Sequence, residues 1–97
     1  MNREQTIKSI EESKVIVILR GFSYDELYKT VYAMREGGIV CCEVTYDSLG
    51  KTPDSQTAEY ITRLCRDFPD MVIGAGTVLT ESQVELTKNA GGKFIIS

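Results

Sequence analysis

The stretch IVCCEVT, residues 39–45, decides the fold. Ile39, Val40, Cys41, Cys42 and Val44 make it an apolar run directly after Gly37-Gly38. Such a run suits a strand covered on both faces, as strands of parallel sheets are. Glu43 is the one charge inside it. Burying a lone carboxylate is costly unless it is paired, hydrogen-bonded or protonated. The acid is therefore either satisfied by neighbours or used, and its position alone leaves that open.

Working outward, the same plan repeats on both sides. Upstream, VIVIL (15–19) is a second β-branched run, ending in Arg20-Gly21. Ser23 and Glu26 have capping-box spacing, Leu27, Val31 and Met34 follow at helical spacing, and Gly37-Gly38 ends that helix. Before them, residues 3–13 read as an amphipathic helix with Asn2 and Gln5 at its start and an Ile7/Ile10 stripe. Downstream, the polar loop Tyr46–Lys51 leads to Thr52-Pro53, which reads as N-cap and first helical position. Ala58, Ile61, Leu64, Cys65 and Phe68 give one apolar face before Pro69. MVIGAGTV (71–78) is another strand, Thr80 and Gln83 another capping box, and Gly91-Gly92 the stop before KFIIS (93–97).

The pattern predicts an α/β fold in a single domain spanning 1–97, with strands near 15–20, 39–45, 71–77 and 93–97. Strands that alternate with helices, without hairpin turns, form a parallel sheet by right-handed crossovers. Each strand ends in polar residues: Arg20, Glu43 and Thr45, Thr77, Ser97. That edge carries function in a (β/α) barrel and in an open doubly wound sheet alike. Strand alternation puts Glu43 with Cys41 and Thr45, Arg20 with Ile18, and Thr77 with Ala75 and Ile73.

Composition narrows the function classes. The 97 residues carry 42% hydrophobic residues and a net charge of -3, with no basic run, so a nucleic-acid partner is not expected. The N-terminus lacks a signal peptide's apolar segment, and VIVIL is far too short to span a bilayer. A cytoplasmic protein without membrane partners is expected. There is no histidine, and adjacent Cys41 and Cys42 point to opposite faces, so no metal site is expected. Cys65 stands alone on its helix, and all three thiols read as inert. Gly74-Ala-Gly76 fails the dinucleotide fingerprint because its sixth position is Leu79, and no phosphate loop is present. The glycines read instead as places of close approach to the strand, and no cofactor is expected.

Four motifs carry a resemblance: ILRG (18–21), CEVT (42–45), GAGTVL (74–79) and FIIS (94–97). In this order they resemble the 2-keto-3-deoxy-6-phosphogluconate (KDPG) / 4-hydroxy-2-oxoglutarate (KHG) aldolases, over roughly Lys14 to Ser97. These are class I, Schiff-base aldolases on a (β/α)8 TIM barrel. The resemblance implies the N-terminal half of that barrel, β/α units 1–4 preceded by an extra helix. It gives Glu43 the role of general acid/base, Thr77 a hydrogen bond to the pyruvate carboxylate, and Arg20 an anionic group of the substrate. The substrate class it implies is a small pyruvate-forming 2-keto acid, and the full-length protein would be a homo-oligomer, a trimer.

Two departures bear on activity. Some members carry an arginine two residues after the threonine of EVT, where this chain has Asp47. The family's Schiff-base lysine lies on the sixth strand, beyond Ser97, and none of Lys14, Lys51, Lys88 or Lys93 matches it. The chain alone is therefore expected to be a truncated, inactive half. Two alternatives stand beside this reading. One is an epimerase-like barrel acting on sugar phosphates; the other is a non-catalytic open, flavodoxin-like sheet with Glu43 merely paired to Arg20.

Overall fold

The computed structural model describes residues 2–13 and 15–97, the side chains of residues 9–13 excepted. Chain order is α1 (Arg3–Ser13), β1 (Val17–Leu19), α2 (Tyr24–Glu36), β2 (Cys41–Thr45), α3 (Asp54–Asp67), β3 (Val72–Gly76) and α4 (Glu81–Ala90). The strands form one parallel sheet in the order β1-β2-β3. A flavodoxin-like sheet would place β1 between β2 and β3. Here β2 is the central strand, as in a barrel wound in chain order, so the flavodoxin-like alternative is set aside.

Local chemistry sets the helix ends. Ser23 Oγ accepts from Glu26 N while the Glu26 carboxylate accepts from Ser23 N, closing the capping box of α2. Thr80 and Gln83 do the same for α4, and Asn2 and Gln5 for α1. Gly91 ends α4 at φ 91°, a left-handed turn that a Cβ disfavours. Helix α3 differs from the sequence expectation by one residue. Its N-cap is Pro53, without a side-chain cap, and the Thr52 N–H before it donates to Asp47 Oδ2 at 3.0 Å.

One face of the sheet makes the core. Leu19, Cys42, Val44, Tyr46, Ile73 and Ala75 bury against Leu27, Val31 and Met34 of α2 and Ala58, Ile61 and Leu64 of α3. Tyr46, read from sequence as part of a polar loop, continues this alternation and is buried. Its hydroxyl meets Thr87 Oγ1 at 2.9 Å, which ties the end of β2 to α4. Cys42 is buried in the same layer, and burial pushes its thiol up to about 12. Cys65 is half-buried, with its Sγ donating to Gly91 O at 3.4 Å. Both are poor nucleophiles at neutral pH.

Three expectations change. Of the Ile7/Ile10 stripe of α1, Ile7 is 45% exposed and Thr6 is buried instead, while the Ile10 side chain lies outside the described residues. The strand expected at 15–20 is ordered only over Val17–Leu19, and Ile18 is 59% exposed rather than covered on both faces. Ile18 pairs with Glu43 on the face away from the core layer, and among the described residues the edge strand is left open there. The fourth strand is reduced to one bridge, Ala75 to Ile95. Its backbone still runs parallel to β3, with Lys93 N to Ile73 O at 2.7 Å, Ala75 N to Phe94 O at 3.0 Å and Ile96 N to Ala75 O at 2.9 Å.

Candidate active site

Register places the polar groups. In the parallel ladder Glu43 stands opposite Gly74 and Thr45 opposite Gly76, so these four positions share the face turned away from the helices. Two of the three β3 positions on that face, Gly74 and Gly76, are thus bare backbone; the third is Val72. A Cβ at Gly74 would lie 2.6 Å from the Phe94 ring and carbonyl, so glycine there admits the following segment. A Cβ at Gly76 would lie 2.7 Å from Glu43 Cδ and within 2.9 Å of both carboxyl oxygens. Glycine there admits the carboxyl group itself. Glu43 therefore leans along its strand toward the C-terminal edge.

Glu43 is 5% exposed, and its Oε2 has no hydrogen-bond partner among the described residues. Burial raises the carboxyl above its ordinary value, and the nearby Arg20 guanidinium opposes that rise. No ion pair between them exists among the described residues: Arg20 Nη2 instead donates to Thr77 Oγ1 at 3.2 Å. The reading of Glu43 as merely salt-bridged to Arg20 is not what the geometry shows. Thr45, one alternation further along, is 7% exposed, and its Oγ1 also lacks a partner among the described residues. Each such orphaned polar atom costs about 1–3 kcal/mol. Buried polar atoms without a partner call for a reason such as strain, catalysis or a bound group.

Thr77 corrects the alternation argument. By parity it would face the core with Ile73 and Ala75, which are fully buried there. Instead β3 ends at Gly76 and Thr77 takes φ 55°, a left-handed conformation rare for a β-branched residue. That turn brings its hydroxyl to Arg20. Such strained backbone clusters at functional sites. Arg20 follows Leu19, the partner of Val44, and so stands level with Thr45. Arg20, Glu43 and Thr77 are brought to one edge of the sheet, as expected, but by a route that periodicity could not supply.

From sequence, Thr45 was a polar strand end and Gly76 a place of close approach, and neither was given a role in the site. The parity shared by Glu43 and Thr45 was a usable signal; the contact across to Gly76 was not visible in one dimension. Asp47 has a structural task. Its oxygens accept from the backbone N–H of Leu49, Lys51 and Thr52 at 2.9–3.0 Å, and those bonds hold its carboxyl below the usual carboxylate range. A cleft of about 500 Å³ opens beside this loop, lined by Arg20, Thr45, Asp47, Lys51, Gln56 and Tyr60 among others. Lys51, Lys88 and Lys93 are exposed, and Lys93 sits at the opposite strand end; Lys14 lies outside the described residues.

The fold occurs in known proteins. The sequence profile of the KDPG and KHG aldolases matches residues 6–97. The 2-dehydro-3-deoxy-phosphogluconate aldolase of Haemophilus influenzae is 29% identical over 94 residues, which are 97% of this chain and 42% of that protein. The corresponding enzyme of Treponema pallidum is 31% identical over 93% of this chain and 40% of its own length. Among solved structures, KDPG aldolase from Legionella pneumophila, captured with pyruvate as a covalent carbinolamine, superposes with a TM-score of 0.78 at 30% identity. It covers all of this chain, which matches 43% of it. The chain thus spans about two-fifths of the length of the relatives it matches. Its parallel β/α units correspond to part of their barrel, and the chain belongs to the KDPG and KHG aldolase family.

Proposed function

We propose that this chain supplies the proton-transfer and anion-holding part of a class I, Schiff-base aldolase site. The substrates would be KDPG, cleaved to pyruvate and glyceraldehyde 3-phosphate, and/or 4-hydroxy-2-oxoglutarate, cleaved to pyruvate and glyoxylate. The observation that carries this reading is a buried carboxyl of raised pKa, with one orphaned oxygen, beside an arginine–threonine pair at the C-terminal strand edge.

In this reading Glu43 gives and takes protons. It delivers one to the departing carbonyl oxygen as the carbinolamine loses water. It accepts one from the substrate hydroxyl as the carbon–carbon bond breaks and its electron pair moves to the iminium. A carboxyl pushed up by burial exchanges protons more readily near neutral pH than an ordinary glutamate. Arg20 and Thr77 would hold the carboxylate or another anionic group, Arg20 by its charge and Thr77 by its hydroxyl. Asp47, occupied with three backbone N–H groups, takes no part in anion binding.

The nucleophilic amine is proposed to lie outside these residues, so the chain by itself would form no Schiff base. A cytoplasmic homo-oligomer, a trimer at the relatives' full length, completes the reading. The test is reduction with borohydride in the presence of pyruvate, on this chain and on a chain extended to the relatives' length. An adduct of the expected mass on the extended chain only is the predicted result. An adduct on the 97-residue chain would refute the missing amine, and none on the extended chain would refute the aldolase.

A further inference from the structure

A second cleft lies at the other end of the sheet from the candidate active site. It encloses about 690 Å³ between the start of α1 and the turn that leads from α4 into residues 93–95. Three cations line it, Arg3, Lys88 and Lys93, and no carboxylate is among its lining residues. None of the three forms an ion pair among the described residues, although the chain has 14 acidic side chains for 11 basic ones. Ile7, Phe94 and Ile95 give the same space an apolar wall.

The backbone under these cations is held in place. The Asn2–Gln5 capping box sets the turn that carries Arg3. Gly91, at φ 91°, turns the chain after α4, and Lys93 N donates to Ile73 O at 2.7 Å. Like charges around one hollow repel each other, so the empty arrangement costs stability. A surface with only a structural task mixes the two signs. A multiply charged anion in the hollow turns that repulsion into attraction. Several hundred Å³ suits a small molecule rather than a single ion.

We propose that this cleft binds a small organic phosphate, with its phosphate group among Arg3, Lys88 and Lys93 and its apolar body against Ile7, Phe94 and Ile95. A phosphate monoester carries close to two negative charges at neutral pH and three strong acceptor oxygens, which suit three cationic donors. The arginine can fork onto two of those oxygens while the lysines act as point charges. Lys93 is bonded near the start of β3, whereas Arg20, Glu43 and Thr77 gather toward its end. The occupant therefore does not compete with a ligand of the candidate active site. The inference stands on this cleft alone and does not depend on the aldolase reading.

The probe is phenyl phosphate, titrated into the 97-residue chain and followed by amide NMR. Shifts should gather on Arg3, Lys88 and residues 91–95, and the affinity should fall as salt is added. Lys88→Gln and Lys93→Gln should each weaken binding about tenfold, the effect of losing one charge-assisted bond. Lys51→Gln removes a charge beside the other cleft and should leave the affinity unchanged. Without ligand, the Lys88 and Lys93 variants should melt no lower than the native chain, and each should lose most of the rise in midpoint that the probe gives the native chain. Inorganic phosphate should bind more weakly because it has no apolar body. Native affinity in both lysine variants, or shifts confined to Arg20 and Thr77, would overturn the site. Benzoate, which has the ring and a single charge, would overturn the phosphate assignment by binding as tightly as phenyl phosphate.

Discussion

Glu43 couples the stability of this chain to pH in a direction opposite to most carboxylates. Burial raises its pKa in the folded state above the ordinary 4.5. Between those two values the native chain binds more protons than the unfolded one, so stability falls as pH rises through that window and is flat above it. Glu43→Gln removes the cost of ionising a buried group. Its urea midpoint should therefore exceed the native one at pH 7, and the two should converge near pH 4; a less stable variant at pH 7 would contradict the burial argument. In an extended, active enzyme the same substitution should lower kcat by about 10²–10⁴-fold, the usual share of acid–base catalysis. That Glu43 is buried and unusual was readable from IVCCEVT alone. That it is orphaned rather than paired was not, because pairing depends on where Arg20 points.

At the scale of elements, the sequence placed helices well and their edges less so. Capping boxes at Ser23 and Thr80 are local chemistry, and they formed as spaced. The start of α3 lies one residue later than Thr52-Pro53 signals, and Asp47 holds the Thr52 N–H across the loop before it. Asp47→Ala should leave the helices intact while the amides of Leu49, Lys51 and Thr52 exchange with deuterium faster, measured by native-state exchange. Unchanged protection there would mean the loop is held by something else. Gly91→Ala places a Cβ on backbone at φ 91°, with only ordinary contact to Cys65 at 3.8 Å. The cost is conformational, about 1 kcal/mol, and should appear as a lower thermal midpoint with unchanged far-ultraviolet dichroism.

The whole molecule leaves apolar groups uncovered at the edges of its sheet. Ile18 is 59% exposed on an edge strand, and Ile95 and Ile96 are 42% and 39% exposed along the opposite edge. Open parallel edges with apolar side chains invite pairing with another chain. The 97-residue chain is therefore predicted to self-associate, with a concentration-dependent mass by light scattering. Ile18→Lys, a charge at the β1 edge, should reduce that mass. A monodisperse monomer that melts cooperatively would refute the prediction.

By itself the sequence determined the alternation of strands and helices, the helix caps, and a glutamate inside a buried strand. These follow from period, capping chemistry and desolvation, which act over a few residues. Only the tertiary structure decided the strand order, the single bridge that remains of the fourth strand, and the company Glu43 keeps. Thr77 is the clearest case: parity sent it into the core, and one left-handed residue turned it to Arg20. Gly76 and Thr45 joined the site because parallel register set them side by side across two strands. Register is a long-range property, and no local pattern encodes which glycine will lie beside which acid.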